Sequence, residues 1–191
     1  MPSHPRRPSA VLLAALAAAA LAGCGKVSEK VSEKATEKMI ESALEKDGGK
    51  AKVDLSSGQT RITTTDEKGQ VTVMEAGNGK AVTEAELGVA IYPGASPADG
   101  TTMRTQTAEG RYIATGYESR DSVETVAGFY REKLRAQSAG KQLMDNSSND
   151  GALLALSDPQ SGSSLQVSIS KTGGGTAIQI MSMQAAASAA K

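Results

Sequence analysis

Apolar and polar positions along this chain change period several times, and each period predicts a different element. Ala10 to Ala22 is an unbroken apolar stretch preceded by Arg6 and Arg7. It falls short of the about 20 residues that a bilayer-crossing helix needs, so residues 1–23 read as a secretory signal. Lys26 to Lys46 repeats every four residues: Lys-Val-Ser-Glu twice, then Lys-Ala-Thr-Glu, Lys-Met-Ile-Glu and Ser-Ala-Leu-Glu. Four residues turn an α-helix by about 400°, so each column drifts by about 40° per repeat. Val27, Val31 and Ala35 therefore spiral, while Met39, Ile40, Ala43 and Leu44 gather on one broad face. The first half of this helix is expected to be solvated, held by Lys–Glu pairs at i,i+3, and the second half to dock. Gly48-Gly49 ends it.

From residue 51 the pattern alternates, as strands do. Val53 and Leu55, Ile62, and Val71 and Val73 mark three short strands, turned at Ser56-Ser57-Gly58 and Asp66–Gly69. This meander is too weakly apolar to form a core of its own. Thr83 and Glu86 have the spacing of a capping box, predicting one helical turn at 83–87. An apolar run, 88–95, then ends in the turn Pro93-Gly94. Strands are expected near 102–106 and 111–117. Between 121 and 137 the spacing of Val123, Val126, Ala127, Tyr130 and Leu134 predicts an amphipathic helix, with Asp121 and Glu124 as its N-terminal capping pair. Four more strands follow at about 141–145, 152–157, 164–170 and 176–183. The order predicts an α+β fold: an N-terminal helix and small β-meander, then an antiparallel sheet packed on one amphipathic helix. The expected organisation is a leader (1–23), an anchor and Lys/Glu-rich tether helix (24–50), the meander (51–80), the α+β domain (81–184) and a disordered tail (185–191).

Composition narrows the chemistry. The sole histidine, His4, and the sole cysteine, Cys24, lie in or directly after the leader. The run Leu21-Ala22-Gly23-Cys24 resembles the lipobox of bacterial lipoproteins, whose cysteine becomes the lipidated first residue. Ala20-Leu21-Ala22 also offers an ordinary small-residue cleavage site, and an uncleaved anchor is the other alternative. The resemblance implies a diacylglyceryl thioether on Cys24, with palmitate among the usual acyl groups, and permanent attachment through two or three chains. Gly25 in place of aspartate implies the outer membrane if the source is Gram-negative. The protein is then held in the cell envelope, facing the periplasm or exterior. What remains after the leader has no histidine and no free thiol, which excludes Cys–His and Ser–His–Asp catalysis and thiolate or imidazole zinc sites. The full chain carries 21 basic and 21 acidic residues, and no basic patch points to nucleic acid.

Ile91-Tyr92-Pro93-Gly94-Ala95, followed by Asp121-Ser122-Val123-Glu124 and Phe129-Tyr130-Arg131-Glu132-Lys133-Leu134, is similar to a class of bacterial lipoproteins and secreted proteins. In that class an (I/V)YPGA segment precedes a helix of the type DSxExVxxFYxxxL. The usual Gly-Trp after the helix is here Ala139-Gly140-Lys141, and the class transfers no active site. Ser168–Lys171 and Lys171-Thr172-Gly173 fit penicillin-binding signatures, but they share one lysine in a predicted strand and its turn. Asp145–Gly151 has the look of a calcium loop whose glycine is one place late and whose twelfth position is no glutamate. Tyr92, Pro93 and Gly94 form a rigid turn and are the candidate contact site, with core packing of Tyr92 as the competing reading. No catalytic residue, metal or cofactor is assigned. The expected function is that of a lipid-anchored, non-enzymatic envelope protein that binds another protein; the alternative is a domain binding a small ligand or calcium weakly.

Overall fold

The computed structural model describes residues 26–45, 49–56, 58–77 and 80–186. The leader, Cys24 and residues 187–191 lie outside the described residues; of the expected tail 185–191, Ala185 instead ends the last strand and the Ala186 N–H donates to the Glu109 carbonyl at 2.7 Å. In chain order the elements are α1 (Lys26–Leu44), β1 (Lys50–Ser56), β2 (Gln59–Thr65), β3 (Val71–Gly77), α2 (Glu84–Leu87), β4 (Ser96–Pro97), β5 (Met103–Thr107), β6 (Gly110–Ser119), α3 (Val123–Ala136), β7 (Gln142–Ser147), β8 (Gly151–Ser157), β9 (Ser164–Thr172) and β10 (Gly175–Ala185). The fold is mainly antiparallel sheet with a few helices, which meets the α+β expectation in its coarse form.

All strands join one sheet in the order β1-β2-β3-β5-β6-β10-β9-β8-β7, with β4 beside the end of β6. The meander is therefore continuous with the rest, because β3 pairs with β5 from Val73↔Gln106 to Ala76↔Met103. After β6 the chain crosses one face of the sheet as α3, reaches the far edge as β7, and returns strand by strand to β10 beside β6.

Burial on one face explains this path. Helix α3 buries Val123, Val126, Ala127, Tyr130 and Leu134, the stripe expected from its spacing. These residues share a core with Ile113 and Tyr117 of β6, Ala152, Leu154 and Leu156 of β8, Leu165, Val167 and Ile169 of β9, and Ile178 and Ile180 of β10. Leu87, Val89 and Tyr92 complete it from the segment before β4. The capping box at α2 forms as the spacing predicts, between Thr83 and Glu86. At α3 the N-cap is Ser122, whose hydroxyl accepts from the Thr125 N–H at 3.2 Å. Asp121 is drawn elsewhere, as described below. Gly175 opens β10 at φ 150°, where a Cβ would run into the Ser119 carbonyl, so the β9–β10 turn fits against the end of β6 only with glycine.

Candidate functional site

The turn singled out by its sequence is a brace between the pre-β4 segment and α3. Tyr92 is 8% exposed. Its hydroxyl donates to Asp121 Oδ2 at 2.6 Å, and its backbone N–H donates to the Tyr130 hydroxyl oxygen at 3.1 Å. Its ring meets Phe129 edge-on at 5.3 Å, and Phe129 meets Tyr130 in the same way at 5.1 Å. The hydrogen bond to Asp121 and then burial raise the Tyr92 phenol above its ordinary pKa, while burial pushes Tyr130 up to about 12. Both tyrosines thus keep their protons at neutral pH and serve as hydrogen-bonding struts. Pro93 and Gly94 are exposed and sit on the rim of an open depression of about 720 Å³, shared with Glu118, Arg120 and Asp121.

The other sequence motifs are separated by the sheet itself. Successive residues of a strand face opposite sides, so Ser168 and Lys171 of β9 project to opposite faces and do not form a nucleophile–base pair. Asp145 of the calcium-like loop is held by the Arg131 Nε at 2.6 Å and by the Ser147 hydroxyl at 2.7 Å. These bonds hold its carboxyl below the ordinary carboxylate range. Asp150 faces Lys171 at 4.0 Å instead. Among the described residues no group of three or more His, Cys, Asp or Glu side chains is placed to hold a metal ion.

Two features emerge from the geometry that the motifs did not announce. The first is the use of the period-four repeat. Glu37 Oε1 accepts from the Leu55 N–H at 2.8 Å, Glu41 Oε1 from the Val53 N–H at 2.8 Å, and Glu45 Oε1 from the Ala51 N–H at 3.3 Å. Helix α1 lies antiparallel to β1, and one glutamate column supplies acceptors to the outward amides of an edge strand. The periods match: four helical residues rise about 6.0 Å, and two strand residues about 6.8 Å. The docking face differs from the expected apolar one. Ile40 and Leu44 are half-buried, but Met39 is 72% exposed and Ala43 is exposed too.

The second is the distribution of charge over the sheet. Cross-strand partners share a face. Arg61, Glu75 and Arg104 pair in register with Asp54 and lead to Ile113 of the core, so they lie on the side of α3. Strand alternation puts Lys50, Lys52, Arg111, Asp145 and Lys171 on that side as well. There Asp54, Arg61, Glu75, Lys80 and Arg104 line a polar groove of about 340 Å³. An Arg61–Glu75 ion pair at 3.1 Å partly neutralises it.

The opposite face of the same strands holds, among the described strand residues, Glu118 as its only charge. One cross-strand row of that face reads Leu55, Thr60, Ala76, Met103, Ala114, Met181, Gln166, Ala155, Met144. The next holds Val53, Ile62, Met74, Thr105, Tyr112, Met183 and Ser164. Helix α3 and the segment around α2 pack on the other side, while α1 runs along β1, where Val53 is only 4% exposed. Met144 and Met183 stay 48% and 47% exposed. Over β6 the face is rimmed by the loop before β5: the Thr101 hydroxyl accepts from the Gly116 N–H at 3.0 Å and stands where a Cβ at 116 would go.

Comparison of the chain with protein-family models, with curated proteins and with solved structures finds no match.

Proposed function

We propose that this protein is a lipid-anchored, non-enzymatic component of a bacterial cell envelope that binds another protein through the uncharged face of its sheet. The lipobox-like run ending at Cys24 supports the anchor, and the repeat helix that begins at Lys26 follows it almost at once. The observation that carries the binding reading is the partition of charge. Strands that place Lys52, Asp54, Arg61, Glu75 and Arg104 on one side leave Leu55, Ile62, Met74 and Met103 partly exposed on the other. A broad surface depleted of charge and rich in methionine has the composition of an interface core. Methionine side chains also adapt to irregular partner surfaces.

The test is photo-crosslinking in the native cells. A benzophenone amino acid at Ser168 or Gln179, on the uncharged face, is expected to give discrete protein adducts. The same probe at Glu132, exposed on α3, is expected to give none. Equal adducts from both sides, or none from either, overturn the reading. A Cys24→Ser strain is expected to lose acyl labelling and to leave the membrane-attached form depleted.

A further inference from the structure

Resting on that reading, we infer that the partner is a second copy of the same chain, docked sheet to sheet across a two-fold axis. Such an axis brings the residues beside it close to their own duplicates, so a charge at the centre of the face would meet its like. The centre of this face, around Gln166, Met181 and Ala114, is free of charge among the described residues, and Glu118 stands towards the far end of β6. With Glu118 as its only charge among the described strand residues, the face offers no charge pattern that would select a different partner.

The dimensions also fit. Leaving out β1, whose Val53 is 4% exposed beside α1, the eight strands from β2 to β7 lie about 4.8 Å apart and span about 34 Å, and three same-face residues per strand span about 20 Å. The product, on the order of 700 Å², is close to what each partner of a standard interface contributes, about 800 Å².

Texture completes the argument. Along the central row, long flexible Met103, Met181 and Met144 alternate with small Ala76, Ala114 and Ala155. Ridges beside hollows allow two such faces to interdigitate at the spacing of about 10 Å that stacked sheets adopt.

Acylation of Cys24 leaves an introduced cysteine as the only free thiol, which makes the test clean. Lipidated Gln166→Cys protein in native membranes, treated with a short bis-maleimide, is expected to give one product of twice the chain mass. Glu132→Cys is expected to give none. Lipidated wild-type protein in detergent is expected to sediment as a dimer, and Gln166→Lys to dissociate it at least tenfold while the far-UV spectrum and Tm hold. If Gln166→Lys changes the fold, Met181→Lys provides the same comparison. Adducts of mixed mass from Gln166→Cys overturn the second copy as the partner and leave the binding face standing. A monomer that crosslinks to nothing overturns both.

Discussion

Replacing Glu37, Glu41 and Glu45 together by alanine tests the idea that the tetrapeptide repeat acts as a surrogate strand. The amides of Leu55 and Val53 are part-buried and that of Ala51 is exposed. A hydrogen bond to a carboxylate contributes up to about 1.5–3 kcal/mol, and less where water competes, so about 1 kcal/mol is reasonable for each part-buried amide. Removing all three leaves α1 held by half-buried Ile40 and Leu44, and a local loss of about 2 kcal/mol raises opening about 30-fold. Amide hydrogen exchange followed by NMR reads this residue by residue. Ala51, Val53 and Leu55 are expected to lose about 30-fold in protection, whereas Lys52 and Asp54, whose amides face β2, are expected to keep theirs. A Glu41→Gln chain retains an acceptor oxygen and is expected to keep most of the protection at Val53. Uniform loss along β1 would mean that the strand itself detaches. No loss at all would mean that the carboxylates are incidental. Either result refutes the reasoning.

Tyr92→Phe removes the donor to Asp121 while preserving the aromatic contacts with Phe129, so urea unfolding is expected to show a loss of about 1 kcal/mol. Leu154→Ala empties a site that is fully buried under α3 and is expected to cost about 2–5 kcal/mol by the same assay, with the m-value unchanged. Asp145 titrates below its ordinary value because of Arg131, so its contribution is present above the unfolded carboxylate pKa and is lost as pH falls through the lower folded value. Arg131→Gln is accordingly expected to flatten the acid limb of the stability–pH curve and to leave the curve above pH 6 parallel to wild type.

Local order was legible in the sequence wherever neighbouring residues decide it. Thr83 and Glu86 form their capping box, and the Val123–Leu134 stripe gives α3 its buried face. Two adjacent residues competed for the cap of α3, and a distant group settled the contest: the Tyr92 hydroxyl engages Asp121, leaving Ser122 to the helix. The pairing of β3 with β5 joins strands separated by the whole 78–102 segment, and no local signal specifies that register. The glutamate column was visible as a period but not as a set of acceptors, because its partners are backbone amides, which every sequence has. The charge partition was also written in the chain, since Lys50, Lys52 and Asp54 share one parity. It becomes a surface only after strand order and register align those parities across nine strands.

The same features constrain how the sheet associates. A free edge strand is a template for pairing with another chain. At one edge, the carboxylates of α1 occupy the outward amides of β1. At the other, β7 is six residues long and carries Asp145, whose charge Arg131 keeps in place. Each is a recognised way of discouraging edge-to-edge growth. Among the described residues no helix packs on the uncharged face from β2 to β7, and contact there is limited by area and shape and cannot propagate strand by strand. A two-fold pairing there closes on itself. If the edges are protected so that association runs through the face, the triple glutamate variant should do more than loosen α1. It should convert a closed dimer into open-ended assemblies, seen as a concentration-dependent rise in light scattering that Gln166→Lys does not suppress. A variant that loosens α1 yet stays at the wild-type mass would show that the glutamate column holds the tether and does not guard the edge.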